Sequence, residues 1–288
     1  MKQKNRMRTI ENQTFPNERD LYAARDLELI NCAFDGEEDG ESALKQAKNV
    51  TAEKCYFNLR YPLWHDEDVK LRECVMTDKC RAALWYTRRA VIEDSALGGI
   101  KALRECDDVE ITGTKIVSPE FGWRCRNVTM RGCEAESEYL FLGSSELRWD
   151  NVRFKGKYSF QYARDVVIEN CTLDTKDAFW HAENVTVRNS VINSEYLAWY
   201  SENVTFENCR ISGTQPLCCC KGLKLINCEM LGADLAFEYS DVEADLRGGL
   251  VSVKNPRSGR ITADRIGEII LTEDSVYPAL CEIVQRQA

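Results

Sequence analysis

The sequence predicts an all-β protein, a single-stranded parallel β-helix of about 12 coils with a 19-residue repeat and end caps. Three observations predict it. A short phrase returns along the chain: Asp or Asn, Val, any residue, an apolar residue, any residue, Asn or Gly, then Cys. Its Cys-equivalent positions Ser95, Thr114, Cys133, Val152, Cys171, Ser190, Cys209 and Cys228 are all 19 residues apart. Within each phrase apolar and polar residues alternate, and Gly or Asn follows at a fixed offset. A fixed period of this length is the signature of a repeat architecture in which each coil stacks on the next.

The strand comes first in the coil. Val109/Ile111, Val128/Met130, Val185/Val187 and Leu223/Leu225 are apolar, while Thr129/Arg131 and Thr186/Arg188 are polar. That period of two, rich in β-branched residues, reads as a short strand with one buried face. A corner follows at Gly113, Gly132, Asn151, Asn170, Asn189, Asn208 and Asn227. Gly and Asn enter the left-handed backbone region at least cost. Stacked asparagines predict an amide ladder from coil to coil. The Cys-equivalent register accepts Cys, Ser, Thr and Val, which predicts a small buried side chain. Two residues later another apolar column runs through Phe154, Leu173, Ile192 and Ile211.

A second corner of small residues (Gly156, Thr175, Ser194, Gly213) leads into an aromatic third segment. That segment reads as β-rich. It carries a core column, Leu44, Leu63, Leu84, Leu103, Phe141, Phe160, Phe179 and Leu217, and the turn back is marked by Asp26, Asn49, Asp68, Asp108, Asn127, Asp165, Asn184 and Asn203. A leucine-rich repeat is the rival, because Leu223-Lys224-Leu225-Ile226-Asn227-Cys228-Glu229-Met230 fits its pattern. The 19-residue period lies just below the usual range for that repeat, and no helical spacing appears in the rest of the coil.

The expected organisation is an N-terminal cap over 1–20, parallel β-helix repeats over 21–245, and final irregular coils with a C-terminal cap over 246–288. The chain has 288 residues, 44% hydrophobic, and a net charge of −9. No basic stripe is present, so no nucleic-acid partner is expected. No run of 18 apolar residues exists, so no membrane span is expected. The first residues are charged without an apolar stretch behind them, which predicts no signal peptide and a cytoplasmic chain. There the 14 cysteines are expected to stay reduced.

Several segments carry a resemblance. Gly40-Glu41-Ser42-Ala43-Leu44-Lys45, Tyr61-Pro62-Leu63-Trp64-His65, Leu84-Trp85-Tyr86, Gly156-Lys157-Tyr158-Ser159-Phe160-Gln161-Tyr162, Lys176-Asp177-Ala178-Phe179-Trp180-His181, Gly213-Thr214-Gln215-Pro216-Leu217-Cys218, Phe237-Glu238-Tyr239-Ser240 and Val253-Lys254-Asn255-Pro256 together resemble an uncharacterised bacterial family with a pectate-lyase-like fold. The resemblance covers nearly the whole chain. It implies a right-handed parallel β-helix and supplies no catalytic residue.

Chemistry is expected on the aromatic segment. Lys157, Lys176 and Glu195 share one column, Tyr158, Asp177 and Tyr196 the next, and Trp180 and Trp199 another beside His181. Asp177, Glu195, His181 and Lys176 are the catalytic candidates. Two carboxylates would serve acid/base work on a glycosidic bond, and a lysine would neutralise a uronate in a lyase. Trp180, Trp199, Tyr158, Tyr196 and Lys157 are the substrate-binding candidates, since rings stack on sugar faces. The same columns also read as a stacked aromatic cover and a ladder of exposed ion pairs, each worth about 0–1 kcal/mol. His65 and His181 are six coils apart, roughly 29 Å at the strand spacing, and cannot share a metal. Adjacent residues of Cys218-Cys219-Cys220 point to opposite faces. No metal and no cofactor is therefore expected. Two functions stay open: binding of, or glycosidase- or lyase-like action on, an intracellular glycan or oligosaccharide, or a non-catalytic structural or interaction scaffold of unspecified oligomeric state.

Overall fold

The computed structural model describes residues 7–37 and 40–287. The expected N-terminal cap therefore lies partly outside the described residues. The chain forms two compact units, Met1–Phe141 and Leu142–Ala288. Both are parallel β-solenoids.

In the first unit the long strands Arg8–Glu11, Arg25–Ile30, Lys48–Glu53, Glu67–Arg72, Arg88–Glu93, Asp107–Thr112 and Arg126–Arg131 pair in parallel, one per turn. In the second, Ser145–Asp150, Arg164–Glu169, Glu183–Arg188, Glu202–Glu207, Leu223–Glu229, Asp241–Arg247, Ser258–Ala263 and Glu282–Gln285 do the same. Val166 pairs with Val185 and Val185 with Val204, so the 19-residue step is the strand register itself. Among the described residues the turns number about 15, not about 12. The excess arises at both ends: Arg8–Glu11 already pairs with Arg25–Ile30 within the stretch expected as a cap, and parallel pairing outlasts the 19-residue beat. After a register shift between Leu225 and Cys228, Asp241 pairs with Ser258 and Arg260 with Glu282.

Strand alternation is as the sequence predicts. Val166, Ile168, Val185, Val187, Val204 and Phe206 are fully buried. The Asn corner is left-handed throughout, with φ of 52° at Asn151, 56° at Asn170, 49° at Asn189, 52° at Asn208 and 54° at Asn227. The amide ladder forms in part: Asn208 Nδ2 donates to Asn189 Oδ1 (3.3 Å) and Asn227 Nδ2 to Asn208 Oδ1 (2.6 Å). A second ladder stands at the turn back, where Asn184 donates to Asp165 (3.0 Å) and Asn203 to Asn184 (3.3 Å).

These two roles of Asn208, conformational and hydrogen-bonding, are separable. Asn208→Gly removes the ladder but suits the left-handed backbone, whereas Asn208→Ala also forces an ordinary side chain into it. The expected losses are about 1 kcal/mol for glycine and about 1–2 kcal/mol more for alanine, read from urea midpoints. An alanine variant as stable as the glycine variant would refute the conformational role.

The Cys-equivalent column does more than fill space. The backbone N–H of Cys171 donates to Ser190 Oγ on the next turn (3.0 Å), and Ser190 Oγ donates to the Arg188 carbonyl (2.7 Å). Val152 N–H likewise donates to Cys171 Sγ (3.3 Å). Thiol or hydroxyl thus satisfies a buried backbone donor that would otherwise cost stability. All 14 cysteines are free.

The third segment departs from expectation. It is mostly not strand. Alternate residues there are left-handed: Tyr158, Phe160 and Tyr162; Asp177, Phe179 and His181; Tyr196, Ala198 and Tyr200. Backbone groups bond between turns, as in Asp177 N–H to Glu195 O (3.0 Å) and His181 N–H to Trp199 O (3.0 Å). Tight turns close within the coil, as in Ala182 N–H to Phe179 O (3.1 Å). Bulky residues rarely adopt positive φ and do so only where the surroundings over-determine it. Here the buried Phe160 and Phe179 supply that constraint, their rings stacked at 5.0 Å.

Candidate functional site

The second unit carries all nine candidate residues on three successive turns. Thr172–Lys176 and Val191–Glu195 pair in parallel with Lys176 opposite Glu195. Lys176 Nζ lies 3.0 Å from Glu195 Oε2, and this contact holds the lysine above its ordinary pKa. Both side chains are substantially exposed.

Asp177 follows Lys176 at the left-handed position. It is 8% exposed. No hydrogen bond or ion pair from the described residues reaches its carboxyl. Burial raises its pKa; Lys176 pulls it back down and Glu195 adds to the rise. Asp177 occupies a column otherwise held by Tyr158 and Tyr196 on the adjoining turns, at matching φ of 59°, 52° and 52°. Both tyrosines are half-buried. Lys157 Nζ stands 5.6 Å from the Tyr158 ring centre, and Lys176 Nζ 5.3 Å from that of Tyr196.

Trp180 and Trp199 are half-buried and stack at 5.8 Å with 5° between their planes. Each indole N–H is tied to the next turn's backbone, Trp180 to Tyr196 O (3.3 Å) and Trp199 to Gln215 O (2.7 Å). Tyr196 meets Trp199 edge-on at 5.4 Å. His181 is exposed, its ring sandwiched between Tyr162 (5.1 Å) and Tyr200 (5.2 Å). It makes no hydrogen bond or ion pair with Asp177 or Glu195 among the described residues. The fold thus brings Lys176, Asp177, Glu195 and their aromatic neighbours together and places His181 in the adjoining ladder, its ring edge-on to Trp180 at 6.5 Å.

The equivalent face of the first unit is closed by its own cations. Trp64 and Trp85 stack at 5.4 Å. Lys45 covers Trp64 at 4.0 Å, and Arg104 lies 5.1 Å from Trp85 and 5.4 Å from Trp123. Lys45 and Arg104 were not singled out by sequence; their signal was the shared register with the Trp column.

Two further concavities lie on the outward faces of long strands. One of about 300 Å³ in the second unit is lined by Lys224, Ile226, Glu243, Asp245, Arg260 and Thr262. One of about 220 Å³ in the first is lined by Arg89, Val91, Asp108, Glu110, Asn127 and Thr129. Neither includes a residue of the aromatic segment.

Fold and surface together define a parallel β-solenoid whose third segment displays aromatic ladders. The chain belongs to the family described as protein of unknown function (DUF3737), whose model matches residues 8–284. No curated protein matches the sequence. Among solved structures, the chain is similar to the periplasmic alginate epimerase AlgG, at 9% identity over 90% of this chain and 76% of that one, with a TM-score of 0.35. It is also similar to the catalytic domain of a GH87 α-1,3-glucanase in complex with nigerose (12% identity, 98% of this chain and 64% of that one, TM-score 0.27). A third similar structure is QnrB1, a plasmid-mediated fluoroquinolone resistance protein (14% identity, 82% of this chain and 93% of that one, TM-score 0.24). At these identities and TM-scores no residue role or activity is carried over from any of the three.

Proposed function

We propose that the second unit binds an oligosaccharide along its aromatic segment. One observation carries the reading. Three successive turns hold, in a single register, half-exposed rings beside a largely buried carboxyl that has no hydrogen-bond partner among the described residues. Such a surface offers apolar faces to sugar C–H groups and one oriented polar group to a hydroxyl, as saccharide sites require. The reading is binding rather than cleavage. Glu195 is engaged by Lys176 and His181 is stacked between tyrosines, so Asp177 stands without the second free carboxyl that glycoside hydrolysis uses.

A glycan-array screen of the natural protein, Asp177→Asn and Trp180→Ala tests it. The expected result is retention of one glycan class by the natural protein, with a loss of roughly tenfold or more in each variant. Binding to no glycan, or binding unchanged in both variants, would sink the assignment.

A structural scaffold is the second reading, and a specific observation favours it. The stacked rings cover one another's faces, and the indole N–H groups staple one turn to the next. On that reading Trp180→Ala lowers the unfolding midpoint and Asp177→Asn changes nothing but stability.

A further inference from the structure

We infer that the saccharide seated on this face carries a protonated primary amine held at Asp177, which makes the ligand an amino sugar. The inference rests on the glycan-binding reading and names its ligand class. Asp177 interrupts a tyrosine column. Its neighbours in the column, Tyr158 and Tyr196, are one turn away on either side, so their backbones are roughly 9.6 Å apart at the strand spacing. Only the short aspartate side chain stands between them. At 8% exposure it remains in touch with solvent, yet none of the described residues donates a hydrogen bond to its carboxyl. A carboxylate partly withdrawn from water and without an ion partner is costly, and a fitting cation relieves that cost.

The local charges call for such a cation. Of the two carboxyls, Glu195 is held by the Lys176 ammonium at 3.0 Å, and Asp177 is left without an ion pair among the described residues. A uronate would bring a third carboxylate beside these two, whereas an ammonium would pair with Asp177. The flanking rings suit an ammonium as well. Lysine ammonium groups already stand 5.6 Å from the centre of Tyr158 and 5.3 Å from that of Tyr196, within the range where a cation is attracted to an aromatic face. A ligand amine at Asp177 meets a carboxylate between two such rings.

The experiment is calorimetric titration of the full chain at pH 6.5 with three probes: a glucosamine tetramer with free amines, its fully N-acetylated counterpart, and tetragalacturonate. The natural protein is expected to prefer the free amine over the N-acetyl form by roughly tenfold or more, the size of one hydrogen bond between charged groups. Asp177→Asn, which keeps the side-chain volume, should abolish that preference while its circular dichroism stays unchanged. Equal or tighter binding of the N-acetylated tetramer, lost in Trp180→Ala, would overturn the amine inference and leave the glycan reading standing. A preference for tetragalacturonate, or for the amine in both natural protein and Asp177→Asn, would also overturn it. Failure of all three probes, together with an empty glycan array, would overturn both readings.

Discussion

Phe179→Ala is expected to destabilise the second unit by roughly 3–5 kcal/mol, the range for deleting a buried phenylalanine side chain. Phe179 is fully buried and stacks on Phe160 at 5.0 Å, with planes 12° apart. Phe160 in turn meets Trp149 at 4.9 Å. A coil in a solenoid touches only the coils before and after it, so its stability is largely the sum of two interfaces. Truncating Phe179 weakens both, and surrounding turns that are hydrogen-bonded to their neighbours have little freedom to collapse into the void. The left-handed backbone at Phe179 (φ 61°) loses its constraint at the same time. Phe179→Leu should cost far less, about 1.5 kcal/mol or below, because leucine keeps most of the buried volume. Urea unfolding followed by far-ultraviolet circular dichroism measures both. Equal losses for alanine and leucine would show that ring stacking, rather than volume, sets the stability of the column. A loss under about 1 kcal/mol for alanine would deny the column its place in the core.

How much of this was legible in sequence differs by side of the coil. The strand-and-corner half was readable because its geometry leaves few chemical options. Parallel pairing at a fixed 19-residue step places like residues over like, and a single left-handed residue between two strands favours Asn or Gly, which hold the corner from Gly113 onward, although Lys54, Glu73 and Asp94 hold it on earlier turns. The phrase ending at Asn170-Cys171 therefore announces its own conformation. The aromatic half follows no such rule. Tyr, Phe and Ala have no preference for positive φ, so nothing local in Tyr196-Leu197-Ala198-Trp199-Tyr200 announces a run of alternating left-handed residues. Packing of the buried column imposes it. Asp177, Lys176 and Glu195 were found because register alone brings them together. The stacking partners of His181 were found by register too, but not the fact that they cover its ring. The Cys-equivalent column was recognised as small and buried. Its second property, accepting an N–H from the previous turn, appears only when Ser190 and Thr114 are seen to do what Cys171 does.

Asp66 escaped that reading, and it makes the second large prediction. It falls in a column of small residues just before the long strand, with Ala47, Thr87, Cys106 and Cys125 in the first unit. It is fully buried. Its Oδ1 accepts the Ala47 N–H (2.9 Å), while Oδ2 has no partner. Burial pushes its pKa well above the ordinary aspartate value, against smaller opposing effects from the Ala47 N–H and from Arg25. The native state therefore holds a proton that the unfolded chain, titrating near pH 4, gives up. Stability contributed by this proton is fully present below about pH 4 and is lost as the pH rises from there through the native pKa. Serine recurs at this column position in the second unit, alternating with Ala and Cys, and there Ser240 Oγ accepts the Cys220 N–H at 2.8 Å. Asp66→Ser is thus expected to keep the backbone acceptor and remove the buried acid. The gain should reach about 1–3 kcal/mol at pH 8, the penalty of an unsatisfied buried polar group. At pH 5 it should be smaller, because there the native aspartic acid is still neutral. Thermal midpoints of the two proteins between pH 5 and 8 decide it. Curves that run parallel, or a variant less stable at pH 8, would mean that Asp66 is ionised and compensated in the native fold, and that the column tolerates a charge its burial should forbid.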